Sequence, residues 1–449
     1  MEREIIHKLL DWYKNPNRKP LVIWGARQIG KTYLVKELFL KENFKKYVYI
    51  DLKKDSDALS FFSTTCDPDL YLSFIEAKYN VKISKDVPLV IDEAELCNNV
   101  LSSLKYFCDE HRDLPVIVTG SLVRLSILHQ SPKDNTFLFP VGKIDSINMH
   151  PMTFKEYLLN SNKVILKKIE ESWINKTPLL DYEHEFAMNL LFEYLSIGGL
   201  PEVVDTFLNK GRSYVDTLAI RKNIYDNYLS DMDTYNVSNE SILKTRNVYK
   251  NIFKQLNKEN KNFKITEIEN GRSNRDYFSA YQWLESANIV LRSSKKQDRI
   301  TLPLIDETEN SLFRYYLSDV GLFVHQSNIN AASFLVKDTR NTLSGIFFEN
   351  YVACELAAKD IPLFYWCGKK YHEFEFVVSN NNQIIPIDVK KGNSKMNSLD
   401  AFRQHNKKDL AIKIANAHLG YDKVQKILTV PLYQVFMLVD DLFKNIKIL

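Results

Sequence analysis

Cysteine is scarce: 449 residues carry 5, namely Cys66, Cys97, Cys108, Cys354 and Cys367. Their number is odd, they are scattered and no two form a CxxC pair, which argues against a disulfide framework or a zinc cluster. A reducing compartment suits such a chain. No apolar run approaches the ~20 residues of a membrane span. The opening segment, Met1 to Asn15, breaks its apolar pattern with charges, unlike a signal peptide. A cytoplasmic chain without a membrane partner is the expectation. A strong excess of one charge is also missing. The formal net charge is +4, so only a local basic patch could mark a nucleic-acid partner. The histidines show no HxxxH-like spacing, so no transition-metal site is expected, and His372 reads as a surface residue. Internal repeats and low-complexity segments are absent.

What remains is an ordinary globular balance, 45% hydrophobic and 26% charged. The length suggests about three units of ~100–200 residues, enough to bury a large core. An amphipathic helix is expected over 2–13, with Ile5, Leu9 and Trp12 at helical spacing and a break near Pro16. Strands are expected at Lys19–Trp24, Tyr47–Leu52, Leu89–Asp92, Pro115–Thr119 and near Ile144–Met149, with helical segments between. Alternation of this kind predicts an α/β fold with a mostly parallel sheet covered on both faces.

The first strand runs into Gly25-Ala26-Arg27-Gln28-Ile29-Gly30-Lys31-Thr32, a full match to GxxxxGK[ST] placed between a strand and a helix. The glycines let backbone N–H groups curl around phosphate, and the helix beginning near Lys31 aims its positive end at the same anion. Lys31 is expected to neutralise the β- and γ-phosphates of ATP, and Thr32 to hold Mg²⁺. Leu89-Val90-Ile91-Asp92-Glu93 ends an apolar strand in two carboxylates, which is costly without a task. Asp92 is expected at the Mg²⁺ and Glu93 as general base for the attacking water. Glu95 reads equally well as a solvated face. Thr119 and Ser121, ending the fourth strand in Thr-Gly-Ser, can orient water near the γ-phosphate, or serve as a plain strand turn.

These three segments resemble the AAA-superfamily ATPases of bacteria and archaea that carry a C-terminal domain of unknown function. Further landmarks agree: Pro151-Met-Thr-Phe-Lys-Glu156-Tyr157, Gly198-Gly-Leu-Pro201-Glu202, Phe313-Arg-Tyr-Tyr-Leu-Ser-Asp319-Val-Gly321-Leu and Gly345-Ile-Phe-Phe-Glu349-Asn350. The likeness spans essentially the whole chain and implies an ATP-hydrolysing protein. One departure stands out. The family often carries Gly-Arg where this chain has Gly142-Lys143, and lysine keeps the charge without the bidentate fork.

Four parts follow: an ATPase core over 1–150, a helical domain over 151–238, a winged-helix-like domain over 239–325 and a C-terminal α/β domain over 326–449. In the third part, helices are expected at 241–256, Ile265–Glu269 and Asn274–Ala287, then a hairpin wing over Ile289–Leu304. Arg275 on the second helix of that motif, with Lys295, Lys296 and Arg299 on the wing, could hold DNA. Asp276 and Glu285 oppose this, and packing between domains is the alternative. Gln326–Asn341 reads as a linker or a mobile helix. The C-terminal part is expected to hold a helix over Gly345–Lys359 and strands at Leu363–Trp366, Glu373–Val378 and Ile384–Lys390. Asp388 and Lys390 share a strand face, with Glu375 opposite and Glu349 nearby. This resembles the core of restriction-endonuclease-like nucleases, and implies a second Mg²⁺ at Glu349, Glu375 and Asp388, with Lys390 placing water. Two outcomes follow from the sequence: an ATPase that couples nucleotide state to DNA binding or processing, or a nucleotide-gated signalling switch or protein-interaction module with an inert C-terminal domain. Oligomeric state stays open.

Overall fold

Leu21-Val22-Ile23-Trp24 and Leu89-Val90-Ile91-Asp92 are buried at every position. Neither stretch alternates apolar with polar, so both sheet faces must be covered, as in a parallel sheet flanked by helices. Each fully buried Val, Leu or Ile contributes about 1.5–3 kcal/mol of transfer free energy, which is how four-residue strands persist. The computed structural model describes residues 1–121, 140, 142–233, 238–305, 308–334, 345–368, 372–392, 396–407 and 409–448. The described chain divides into two compact units. One comprises Arg3–His150 with Ser286–Asn288; the other comprises Met1–Glu2, Pro151–Glu285 and Ile289–Leu449.

In the smaller unit, β1 (Leu21–Trp24), β2 (Val48–Asp51), β3 (Leu89–Asp92), β4 (Val116–Thr119) and β5 (Asp145–Asn148) form one parallel sheet in the order β2-β3-β4-β1-β5. Val22, Ile50, Ile91 and Val118 pack with Leu101, Leu104 and Phe107 of the helix Asn98–Glu110 in one core. The amphipathic helix begins at Ile5 rather than residue 2 and ends at Lys14, before Pro16. After the loop, a helical turn over Lys31–Tyr33 continues as a π-helix over Leu34–Lys41.

The larger unit opens with helices Phe154–Ser161, Lys163–Asn175, Asp181–Ile197, Pro201–Asn209 and Tyr214–Asp231. Thr153 and Glu156 close a capping box on the first of these. The Gly-Gly and Asp-x-Gly landmarks meet each other. Asp319 accepts from Gly199 N at 2.7 Å and from Leu322 N at 2.8 Å. A Cβ on Gly321 would stand 2.2 Å from the Ile197 carbonyl oxygen. Asn350, fully buried, donates to Leu317 O at 3.1 Å and accepts from Leu317 N at 2.9 Å.

The expected wing differs. β6 (Val290–Lys296) pairs antiparallel not with a strand ending at Leu304 but with β7 (Thr308–Leu317). Its other edge pairs parallel with β8 (Leu363–Cys367), which pairs with β9 (Glu373–Phe374). The hairpin is thus absorbed into a sheet with strands from 67 or more positions along the chain, because an exposed β6 edge would leave its backbone groups unpaired. Lys296 is fully buried and donates to Leu304 O, so it cannot hold a phosphate at a surface; Arg299 is exposed. The helix expected over 274–287 begins as a 3-10 turn, Asn274–Tyr277, before Phe278–Ser286. A mixed sheet of β10 (Phe376–Asn380), β11 (Gln383–Val389), β12 (Ala411–Ala415), β13 (Gly420–Asp422) and β14 (Ile427–Pro431) completes the unit. Ala331–Phe334 is a 3-10 turn, and the rest of the expected linker, from 335, lies outside the described residues. Among the described residues, no helix is long and apolar enough to cross a membrane.

Candidate active site

The loop after β1 bends at Gly25, whose φ is 142°. A Cβ there would stand 2.4 Å from Ile29 Cδ1 and 2.5 Å from Met149 O, so no other residue fits. Gln28 and Gly30 also have positive φ, 61° and 89°. Lys31 is buried, and its ammonium donates to Gly25 O at 2.8 Å and Ala26 O at 2.6 Å. Burial pushes this lysine down to about 8, against the pull of Glu95, Asp92 and Glu93; Arg27 pushes the same way as burial.

Asp92, at the end of β3, is 4% exposed. Its Oδ2 accepts from Thr32 Oγ1 at 3.0 Å and from the Tyr49 hydroxyl. Its Oδ1 accepts from Thr119 Oγ1 and from Glu93 N at 3.0 Å. Parallel pairing puts β3 between β2 and β4, which is why hydroxyls from three separate segments reach one carboxylate. Glu93 turns away in the left-handed region, φ 57°, and is half-buried. Burial first, then Glu95 and Asp92, push its carboxyl up to about 7. Glu95 is not a solvated face. It is buried, and its Oε1 accepts from Ser121 Oγ at 3.0 Å and Ser121 N at 3.2 Å. Ser121 Oγ in turn accepts from Arg27 Nε at 3.2 Å.

Lys31, Thr32, Asp92, Glu93, Thr119 and Ser121 are therefore brought to one end of the sheet with the loop Gly25–Gly30. A hydroxyl and a carboxylate 3.0 Å apart are a donor set that fits Mg²⁺, which takes oxygen ligands and keeps waters or phosphate oxygens besides. Tyr49 is an addition to the residues expected from the sequence, and Glu95, open there between the site and a solvated face, lies at the site. Alternation along β2 could have suggested Tyr49; Glu95 carries no signal apart from its proximity to the Asp-Glu pair. Lys143 pairs with Asp109, the two side chains 42% and 39% exposed.

The C-terminal residues also converge. β10 and β11 are antiparallel with Phe376 opposite Ile387, so Glu375 comes beside Asp388 and accepts from Val389 N at 3.0 Å. Lys390 Nζ lies 2.8 Å from Asp388 Oδ1. Two cations that were not among the residues expected from the sequence fill this cluster. Lys261 Nζ lies 2.8 Å from Glu349, 2.9 Å from Glu373 and 3.6 Å from Glu375. Arg314 reaches Glu373 at 2.7 Å and lies over the Tyr365 ring at 4.0 Å. Burial and then Glu375 push Asp388 up to about 7. Against burial, Arg314 and Lys261 hold Glu373 down to about 2. Among the described residues no three His, Cys, Asp or Glu are arranged to hold a metal ion. The expected second Mg²⁺ does not fit: the Lys261 ammonium already supplies positive charge where Glu349 and Glu375 converge. No local pattern announces Lys261, which reaches the cluster from 88 positions away.

Residues 17–158 match the AAA domain family. Residues 188–333 match a domain of unknown function (DUF8612), and residues 344–433 match another (DUF4143). No curated protein matches the chain. Among solved structures, the Walker-type ATPase PABY2304 of Pyrococcus abyssi is similar over 72% of this chain and 95% of its own, at 15% identity and a TM-score of 0.43. The parallel sheet, the loop and the AAA match together define the class: a P-loop, AAA-like ATPase domain, followed by a helical segment and a β-containing C-terminal part.

Proposed function

We propose that the protein binds ATP with Mg²⁺ in the Gly25–Thr32 loop and hydrolyses it. The observation that carries this is the convergence of Thr32, Tyr49 and Thr119 on the buried Asp92 beside the loop. Lys31 neutralises the β- and γ-phosphates once its ammonium leaves the loop carbonyls. Thr32 and Asp92 would hold the metal, which would supply charge neutralisation at the phosphates. Glu93 takes a proton from water as the water oxygen attacks the γ-phosphorus. The bond from that phosphorus to the β–γ bridging oxygen breaks, giving ADP and phosphate. A carboxyl near 7 matches a general base working at neutral pH. Thr119 and Ser121 orient the water.

For the larger unit we infer a module that reads nucleotide state, not a second hydrolytic centre. The filled acidic cluster and the buried Lys296 favour this over metal-dependent cleavage of DNA. The four-part division at 150, 238 and 325 and a cytoplasmic location, consistent with five free cysteines, belong to the same reading.

ATP turnover by the purified chain, with and without duplex DNA, tests both levels. Lys31→Ala should abolish nucleotide binding. Glu93→Gln should bind ATP while turnover falls about 10²–10⁴-fold. Equal turnover in Lys31→Ala would defeat the site assignment; strong stimulation by DNA would restore DNA as the partner.

A further inference from the structure

Phosphoryl transfer builds negative charge on the oxygens of the departing group, and a cation fixed beside them lowers the barrier. Lys143, which stands where the resembled family often carries arginine, pairs with Asp109 near the surface. A different cation stands in the loop itself. Arg27 is the third residue of the loop, and its Nε donates to Ser121 Oγ at 3.2 Å. Ser121 does not float. Its hydroxyl and its backbone N–H both donate to Glu95 Oε1, at 3.0 and 3.2 Å. Glu95 is 9% exposed. A continuous chain, Arg27–Ser121–Glu95, therefore spans the sheet end.

The topology says where that chain lies. β4, which leads to Ser121, is flanked by β1, which leads into the loop, and by β3, which ends in Asp92. The Arg27 side chain, held to Ser121, thus lies at the end of the sheet where the loop, Asp92 and Glu93 meet. Its charge is felt at both neighbours. Behind the larger effects of burial and the acids, it lowers Lys31; behind burial and the neighbouring carboxylates, it acts downward on Glu93.

We propose that Arg27 supplies, from within its own loop, the guanidinium that contacts the γ-phosphate during hydrolysis, and that Ser121 and Glu95 position it. The proposal rests on the ATPase reading above. A planar guanidinium offers two parallel N–H donors to two phosphate oxygens, which lysine cannot. ADP has no γ-phosphate, so the contact discriminates ATP from ADP and grows as charge develops in the transition state.

The test uses the full chain. Binding of ATP and ADP is measured with fluorescent analogues, and single-turnover hydrolysis with γ-labelled ATP, for wild type, Arg27→Ala, Arg27→Lys, Glu95→Gln and Lys31→Ala. Arg27→Ala should keep ADP affinity yet lose about 10²–10³-fold in single-turnover rate. Millimolar guanidinium ion should restore part of that loss, which a purely structural role would not allow. Arg27→Lys should recover little, since charge without the fork is insufficient. Glu95→Gln should lower the rate about tenfold with ADP binding unchanged, the pattern of a positioning residue. A rate in Arg27→Ala within about threefold of wild type overturns the proposal. If Arg27→Ala does not fold, the rate of Arg27→Lys decides by the same criterion. An inactive wild type, or a Lys31→Ala variant as active as wild type, instead defeats the ATPase reading on which the proposal stands.

Discussion

Two ionisable side chains of the larger unit, the buried Glu355 and the half-buried Lys261, respond to change in opposite ways. Glu355 accepts from Phe154 N at 2.8 Å, and burial pushes its carboxyl up from 4.5 to about 8. The unfolded chain releases this proton near the lower value and the folded chain near the higher one. Between them the unfolded state holds fewer protons, so stability falls as pH rises, by up to about 1.4 kcal/mol per pH unit. The contribution is fully present below the unfolded value. Glu355→Gln, which imitates the protonated form, should flatten that slope in urea titrations run across pH 5–8. An unchanged slope would show that Glu355 is charged in the fold. Lys261 is the opposite case: a cation that three carboxylates hold in its charged form. Lys261→Met leaves buried carboxylates unpaired and should destabilise by about 3–5 kcal/mol. A shift of less than about 1 kcal/mol, the range of exposed pairs, would mean that the cluster is wetter than its burial indicates.

At the scale of elements, the landmarks of the larger unit are contacts between distant segments. The turn at Gly198–Gly199 and the start of the helix Val320–Ser327 approach so closely that Gly321 has no room for a side chain. The obstructing atom, Ile197 O, is backbone and cannot swing aside. Gly321→Ala should therefore cost about 1–3 kcal/mol through overpacking, read as a lowered urea midpoint. An unshifted midpoint would mean that the two segments separate easily. The same logic explains the fate of β6. Its pattern reads as one arm of a local hairpin, yet its second edge is satisfied by β8.

At the scale of the molecule, the two units carry different chemistry. The smaller holds the phosphate loop; the larger holds the neutralised acidic cluster. A ligand that binds only the folded smaller unit stabilises it by mass action, by about 2.7 kcal/mol at a concentration a hundredfold above its Kd. ATP with Mg²⁺ should thus protect the Arg3–His150 unit from proteolysis in wild type and not in Lys31→Ala. Mg²⁺ or Mn²⁺ without nucleotide should leave the melting of the larger unit unchanged, because Lys261 occupies the place a cation would take. Metal-dependent stabilisation removed by Asp388→Asn would reverse that view.

Local chemistry is what the sequence determined by itself. The loop Gly25–Thr32 and the strands β1, β3 and β4 are written in contiguous residues: apolar runs for strands buried at every position, glycine at two of the loop's positive-φ positions, and two acids at the end of β3. Phosphate binding needs backbone N–H groups and a helix start, both set by neighbours in the chain. The C-terminal pairing of Glu375 with Asp388 was legible for the same reason, since a hairpin is local. What only the tertiary structure decided depends on residues far apart in the chain. Lys261 and Arg314 enter the acidic cluster, Lys296 is buried, Tyr49 reaches Asp92, and Glu95 turns inward to Ser121. A charged side chain carries no mark of its partner. Whether it faces water, a metal or another residue is settled by which segments pack against it, and by the cost of burying a charge alone.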